Sequence, residues 1–138
     1  MSGAGVRVVA AVVRRDGRYL LGRRPEHKRH GGLWEFPGGK VLDGESRLDA
    51  TRRELAEELR IEVVAVGALL HSVRDPGAPF VIEFVEVETR GEPVALEHST
   101  VAWFKAEELA GVALAPADAD FAERLTAGAA LRDPSGSA

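Results

Sequence analysis

The sequence predicts an α/β protein, an α/β/α sandwich in which helices cover both faces of a central sheet. Three observations support this fold class. Apolar β-branched runs open the chain, and residues 46–59 follow with helical periodicity and without Gly or Pro. The later run 80–89 is apolar on both faces, which is typical of an inner strand covered on two sides. Periodicity alone does not give the order of the strands.

Local signals define the elements in order along the chain. Apolar runs predict five strands, over residues 6–13, 19–22, 61–73, 80–89 and 101–104. The dipeptide Asp16-Gly17 predicts a hairpin between the first two, and the turn 75–79 joins the third and fourth. One helix covers 46–59 and begins at Ser46; a second covers 116–131 and has proline near its start.

Composition limits the classes of function. A chain of 138 residues with 45% hydrophobic and 29% charged residues predicts one globular domain over 1–138, ending in a flexible tail at 133–138. The net charge of −4 argues against a broad surface for nucleic acid or an anionic membrane. The absence of cysteine excludes thiol chemistry, and no apolar stretch reaches membrane-spanning length. We therefore expect a cytoplasmic protein with no nucleic-acid or membrane partner.

Three glutamates share one face of the first predicted helix. Glu54, Glu57 and Glu58 are three and four residues apart, so their side chains lie on the same side. Like charges at this spacing cost an isolated helix roughly 0.2–0.5 kcal/mol per pair, which suggests a compensating cation. Hard divalent ions such as Mg²⁺ bind oxygen ligands and usually act together with substrate phosphates. The face is therefore either a Mg²⁺–phosphate site or a merely solvated acidic surface.

The spacing around this face resembles a family motif. Gly39 is followed after five residues by Glu45, and after seven more by the run Arg53-Glu54-Leu55-Ala56-Glu57-Glu58. This pattern, residues 39–61, resembles the box of the Nudix hydrolases. The segment 33–40, with the letters LWEFPGGK, is similar to the MutT-type branch of that family. The resemblance implies the Nudix α/β/α sandwich, with a mixed central sheet and a catalytic loop–helix.

One position of the box departs from the family pattern. Arg60 stands where the family usually has glycine, which suits a helix that ends in the left-handed conformation. A side chain in that conformation costs roughly 1–2 kcal/mol. Because Arg60 replaces no carboxylate, we expect activity to survive.

The resemblance implies a site that binds Mg²⁺ or Mn²⁺. Carried over by position, the metal ligands are the three glutamates of the acidic face, assisted by the carbonyl of Gly38 or Gly39. Arg53 lies four residues before Glu57 and would orient a carboxylate, and Glu45 would pair with Arg53.

The same resemblance implies the reaction. In the MutT-type branch, water attacks the β-phosphorus of a nucleoside triphosphate and releases a nucleoside monophosphate and pyrophosphate. The general base is either a glutamate of the helix or Glu97, which matches the loop position before the last strand. An ordinary exposed pair of Glu97 and His98 is the simpler alternative.

Residues outside the box should recognise the base. The segment 114–118 resembles a family segment that opens the final helix and directs Asn or Asp to the base. An aspartate at 118 accepts hydrogen bonds only, so Asp118 would suit a base edge with N–H groups, or would simply favour the helix N-terminus. Arg24 aligns with a residue near the base. Further substrate-binding candidates are Lys40, Phe80 and Glu83.

The resulting prediction is a Mg²⁺-dependent enzyme, a monomer or weak homodimer, that acts on oxidised or modified nucleotides of the 8-oxo-dGTP type or on cytidine-type triphosphates. Two alternatives remain open: hydrolysis of ADP-ribose or dinucleoside polyphosphates, and a nucleotide sensor without turnover. Members of the first kind tend to carry a tyrosine well after the box, whereas the only tyrosine here is Tyr19. Sensors often lose a box carboxylate, and this chain has them all.

Overall fold

The computed structural model describes residues 5–75 and 77–132, with side chains described through residue 128. The predicted tail at 133–138 lies outside the described residues, as does Pro76 of the predicted turn. The described elements are β1 (Val6–Arg15), β2 (Arg18–Arg23), β3 (Trp34–Glu35), β4 (Gly38–Lys40), α1 (Arg47–Leu59), β5 (Glu62–Arg74), β6 (Phe80–Arg90), β7 (Thr100–Lys105), a 3₁₀ helix (Ala106–Gly111) and α2 (Pro116–Arg132). None of these helices is long and apolar enough to cross a membrane.

The sheet is mixed and is built around β1. Its strand order is β3-β2-β1-β6-β5, while β4 pairs with β1 and β7 with β2. Strand β1 runs parallel to β6 and antiparallel to β2 and β4. Strand β6 is an inner strand, as its two apolar faces predict, because it lies between β1 and β5.

Each face of the sheet carries one helix. On the first face, Leu55 and Leu59 of α1 are fully buried in a cluster that includes Val85 of β6. On the second face, Phe121 of α2 stacks on Phe84 with ring centroids 4.5 Å apart. Burying each such side chain contributes roughly 1.5–3 kcal/mol to folding. The predicted α/β/α sandwich is confirmed.

Helix α1 begins and ends as the sequence predicts. The Ser46 hydroxyl accepts a hydrogen bond from the amide of Asp49 at 3.0 Å, which satisfies a donor of the first turn. At the other end Arg60 adopts the left-handed conformation, with φ 57° and ψ 34°, and its amide donates to the Ala56 carbonyl. The chain therefore uses a conformation that favours glycine with an arginine in place.

Strand β4 is a short strand that the sequence did not predict. It pairs Gly38, Gly39 and Lys40 with the first half of β1. A Cβ at position 38 would collide with the Val9 carbonyl, so only glycine lets the backbone approach β1 this closely. As a result, β4 lies beside β1 in the sheet, where the acidic face of α1 can reach it.

Candidate active site

Arg53 connects an acidic residue of the loop between β4 and α1 with two acidic residues of α1. Its Nε and Nη2 donate to the two carboxylate oxygens of Glu45 at 2.8 and 2.9 Å. Its Nη1 donates to Glu54 at 2.8 Å and lies 3.5 Å from Glu57. These contacts raise the pKa of Arg53, and its guanidinium lowers the pKa of Glu45 to about 2. The pairing of Glu45 with Arg53 is the one expected from the sequence.

The two glycines of β4 bring its backbone against the carboxylates of α1. A Cβ at Gly39 would collide with the carboxylate of Glu54, so that carboxylate lies directly on the Gly39 backbone. The amide of Gly38 donates to Oε1 of Glu58 at 3.3 Å. Backbone groups and carboxylates therefore meet at one place, where the small glycines leave room for both.

Glu58 is the buried member of the acidic face. It is 7% exposed, and burial raises the pKa of its carboxyl to about 9, with further contributions from the negative charges of Glu35 and Glu54. A buried carboxyl group beside two further acidic side chains favours positive charge at this place. A cation here would reverse the direction of this pKa change.

The donors present fit a hard divalent cation, because they are carboxylate and backbone carbonyl oxygens. Among residues 5–75 and 77–132, however, no three acidic or histidine side chains converge into a complete metal cage. The side chain of Glu57 is 53% exposed and lies toward Arg53. An ion held here therefore needs additional oxygen ligands from water or substrate phosphates, which is how Mg²⁺ is usually bound.

A cleft of about 420 Å³ opens beside these carboxylates. It brings together eight of the residues proposed from the sequence, namely Arg24, Gly38, Gly39, Lys40, Glu58, Phe80, Glu97 and Asp118. Lys40 and Phe80 are also in contact, with the Lys40 ammonium 5.4 Å from the ring centroid. Residues far apart in the sequence thus share one cavity, which extends from Glu58 and the glycines of β4 to the start of α2.

The remaining candidates lie outside the cleft lining. Glu83 is the clearest correction, because its carboxylate pairs with Arg7 at 2.9 Å and Arg47 at 3.3 Å. Its neighbour Ile82 does line the cleft. Alternate side chains of a strand point to opposite faces, so Glu83 belongs to the face that α1 covers. Arg53, Glu45, Glu54 and Glu57 also lie outside the lining, around β4 and α1.

Asp118 lies in the first turn of α2 and is 6% exposed. One carboxylate oxygen accepts the amide hydrogen of Phe36 at 2.9 Å. Burial raises the pKa of Asp118 well above its usual range, and the negative charge of Glu35 adds to this effect. Asp118 therefore accepts a hydrogen bond in the structure, and its role as an acceptor for a base edge stays a prediction.

Two residues of the cleft had no predicted function. Glu35 accepts from Nη1 of Arg24 at 3.0 and 3.2 Å, and it is 2.9 Å from Nε2 of His98. Arg24 also donates to the Arg29 carbonyl at 2.6 Å, so its side chain is held by protein groups. The sequence signal for Glu35 is an acidic residue inside the apolar stretch 33–36. His98 gives no comparable signal, because its burial depends on tertiary packing.

The loop that carries Glu97 is attached at both ends. The amides of Val94 and Leu96 donate to the carbonyls of Leu59 and Glu58 at 2.9 and 3.0 Å, and the Ser99 amide donates to Arg23 at 3.0 Å. Glu97 is exposed and lines the cleft. The loop therefore brings a solvent-accessible carboxylate close to the end of α1.

The sandwich fold and the carboxylate-bearing loop–helix define a hydrolase class that acts on phosphate anhydrides. A family model of the NUDIX domain matches residues 3–127, so the chain belongs to the Nudix family. Nudix hydrolases use a divalent metal, and the hydrolase class predicted from the box is confirmed.

Individual relatives are similar to this chain over most of its length. The chain is 39% identical over 130 residues to the CTP pyrophosphohydrolase of Escherichia coli, covering 92% of this chain and 96% of that protein. It is 38% identical to the putative 8-oxo-dGTP diphosphatase 2 of Mycobacterium tuberculosis, covering 89% and 92%. The crystal structure of the MutT Nudix hydrolase of Burkholderia pseudomallei is 30% identical, with a TM-score of 0.75 and coverage of 86% and 95%. The MutT-type resemblance is confirmed.

Proposed function

We propose that the protein is a Mg²⁺-dependent pyrophosphohydrolase that cleaves (d)NTPs to nucleoside monophosphates and pyrophosphate. The observation that carries the proposal is the single cleft that joins Glu58 and the glycines of β4 to Asp118 and Arg24. A triphosphate placed along it can reach the carboxylates with its phosphates while its base lies near Asp118. Relatives named for CTP and 8-oxo-dGTP hydrolysis support a triphosphate substrate.

The residues of the box would bind the metal ion and orient its ligands. Glu54, Glu57 and Glu58, with the carbonyl of Gly38 or Gly39, would hold Mg²⁺. When bound, the ion would neutralise phosphate oxygens and lower the pKa of a water molecule. Arg53 would keep Glu54 and Glu57 in place through the contacts described above.

Glu97 is the proposed general base. Its carboxylate would take the proton of the attacking water, whose oxygen bonds to the β-phosphorus. The bond from the β-phosphorus to the bridging oxygen then breaks, and that oxygen leaves with the nucleoside monophosphate. The exposure of Glu97 within the cleft lining supports this role.

The proposed substrates are oxidised or modified nucleotides of the 8-oxo-dGTP type, or cytidine-type triphosphates. Asp118 supports a base-reading site, because it is buried in the cleft and fixed by the Phe36 amide. Its carboxylate would accept hydrogen bonds from the N–H groups of a base edge. Arg24, Lys40 and Phe80 complete the proposed binding residues.

A substrate panel tests the proposal. The protein is incubated with Mg²⁺ or Mn²⁺ and with CTP, dCTP, dGTP, 8-oxo-dGTP, ADP-ribose or a dinucleoside polyphosphate, and products are separated by ion exchange. Pyrophosphate release from a triphosphate is the expected result. In ¹⁸O-labelled water, the label should appear in pyrophosphate if the β-phosphorus is attacked. Turnover restricted to ADP-ribose or dinucleoside polyphosphates, or binding without products, would contradict the proposal.

We also propose that the enzyme acts in the cytoplasm as a single domain, as a monomer or weak homodimer, without a nucleic-acid or membrane partner. The support is compositional: no cysteine and a net charge of −4. Sedimentation at increasing protein concentration measures the oligomeric state, and a stable higher oligomer would contradict it.

A further inference from the structure

His98 is buried against the sheet at the edge of the cleft. Its side chain is 4% exposed, and its Nε2 lies 2.9 Å from Oε2 of Glu35. A Cβ at Gly22 would overlap the imidazole ring, so the glycine of β2 provides the space that the ring occupies. Gly22 is also the register partner of Glu35 between β2 and β3. Ring, glycine and carboxylate are therefore packed at one point of the sheet.

The surroundings of the ring assign its hydrogen to Nε2. The other nitrogen, Nδ1, is buried and has no hydrogen-bond partner among the described residues. A hydrogen on Nδ1 would be a buried donor without an acceptor, whereas a hydrogen on Nε2 has one in Glu35. Glu35 is acceptor-only when ionised, and it faces Nε2. His98 is therefore a hydrogen-bond donor to Glu35.

Glu35 is held from a second side by Arg24, whose Nη1 lies 3.0 and 3.2 Å from the two carboxylate oxygens. Glu35 lines the cleft together with Glu58 and Asp118. A displacement of Glu35 would therefore change the cleft both near Glu58 and near the start of α2.

We propose that His98 is a positioning residue: with Arg24, it fixes the Glu35 carboxylate in the orientation that nucleotide binding in the cleft requires. This inference rests on the proposed function, since it concerns the same cleft. His98 acts through Glu35 and does not itself act on the phosphates. Without the Nε2 donor, Glu35 keeps one partner and gains freedom to turn.

The first test compares His98→Leu with His98→Gln. Leucine removes the donor, whereas the glutamine amide can donate at a similar reach. For the triphosphate that the wild type cleaves best, His98→Leu should raise KM about tenfold, which corresponds to roughly 1.4 kcal/mol, and leave kcat within about twofold. His98→Gln should recover most of the loss. An unchanged KM in His98→Leu, or equal defects in both variants, would overturn the proposal.

A double-mutant cycle asks whether His98 acts through Glu35. If it does, adding His98→Leu to Glu35→Ala should change KM no further, because the acceptor is already gone. Additive effects would contradict the proposal. Gly22→Ala offers an independent route, since its Cβ should displace the ring without removing it. It should raise KM as His98→Leu does, and a normal KM would count against the proposal.

His71→Leu is the matched control. His71 also contacts a carboxylate, Oδ2 of Asp120 at 2.8 Å, but it lies outside the cleft lining. Its KM should equal that of the wild type, and a tenfold rise would overturn the proposal, because the effect would then be general to histidines paired with a carboxylate. If the wild type releases no pyrophosphate, the proposed function fails. Nucleotide binding measured by calorimetry in the same variants then still tests His98.

Discussion

At the scale of single residues, Arg53 and Glu58 have opposite electrostatic environments. Arg53 contacts three carboxylates, so its own charge and the charge of Glu45 are stabilised. Glu58 is buried beside other acidic groups, and its pKa rises. The acidic face thus includes one glutamate whose charge lacks compensation. This difference in electrostatic environment favours a cation beside Glu58 and Glu54 more strongly than an evenly solvated helix surface would.

The metal assignment predicts the effect of Glu57→Gln. Removing one charged ligand should lower kcat at least about 100-fold at saturating substrate, because stabilisation of the phosphate charge in the transition state is lost. Steady-state pyrophosphate release measures the effect. Glu62→Gln is a matched control, since Glu62 is exposed on β5 and pairs only loosely with Arg90 at 3.7 Å. A Glu57→Gln enzyme that keeps its rate would show that Glu57 is not a ligand.

The left-handed Arg60 predicts a stabilising substitution. Arg60→Gly should raise the free energy of unfolding by up to about 1 kcal/mol, because the relief of backbone strain exceeds the extra freedom of glycine in the unfolded chain. Urea unfolding measures this change, and kcat should stay at the wild-type value. Arg60→Ala keeps the Cβ and should give no gain. Equal stability of the Gly and Ala variants would mean that the conformation carries no measurable strain.

At the scale of elements, the sequence could predict those structures that depend on residues close together in the chain. The range of helix α1 was predicted, because Ser46 and the helical periodicity act locally, whereas the left-handed ending at Arg60 was not expected of an arginine. Strand β4 was missed, because consecutive glycines normally weaken a strand and only the approach to Val9 explains them. Similarly, no local pattern reveals that Glu35 and His98 meet across 63 residues of chain.

The N-terminal cap of α1 predicts a stability effect that is separate from chemistry. Ser46→Ala should lower the free energy of unfolding by about 1 kcal/mol, because the Asp49 amide loses its acceptor. Ser46→Asp keeps an acceptor and should retain most of the stability. Thermal unfolding followed by circular dichroism compares the three proteins. A wild-type midpoint for Ser46→Ala would show that the cap contributes nothing.

At the scale of the whole molecule, the cleft depends on the strand order. Placing β6 parallel to β1 brings Phe80 and Ile82 next to the start of β1, while β4 pairs with the same segment from the other edge. The box and the base-recognition candidates were predicted separately from the sequence, and their common cavity follows from this topology. The displacement of Glu83 to the opposite face has the same origin, because a one-residue step along β6 changes the face.

The buried Glu58 predicts how the stability of the metal-free protein depends on pH. Its folded pKa, about 9, lies above the unfolded value near 4.5, so the folded state binds the proton more tightly. The contribution to stability is therefore complete below about pH 4.5 and is lost as the pH rises toward 9. Glu58→Gln should remove this loss and raise the free energy of unfolding at pH 8 by about 1–3 kcal/mol.

Urea unfolding of both proteins in chelator, at pH 6 and pH 8, measures this prediction. The advantage of Glu58→Gln should be larger at pH 8, and the variant should lose activity with Mg²⁺. Asp49→Asn is a control, because Asp49 is exposed on the same helix and contributes to the cap through its backbone amide, which the substitution keeps. A Glu58→Gln protein that is less stable than the wild type at pH 8 would contradict the burial argument.

Glu58 also connects two segments of the site, one through its backbone and one through its side chain. Its carbonyl accepts the Leu96 amide, while its side chain accepts the Gly38 amide. One residue thus joins the loop that carries Glu97 to the strand that carries the glycines. The proposed base and the proposed metal ligands are therefore connected by hydrogen bonds, which would reduce the reorganisation needed when the substrate binds. Slow hydrogen exchange at the Leu96 amide, matching that of α1, is the signature of this preorganisation.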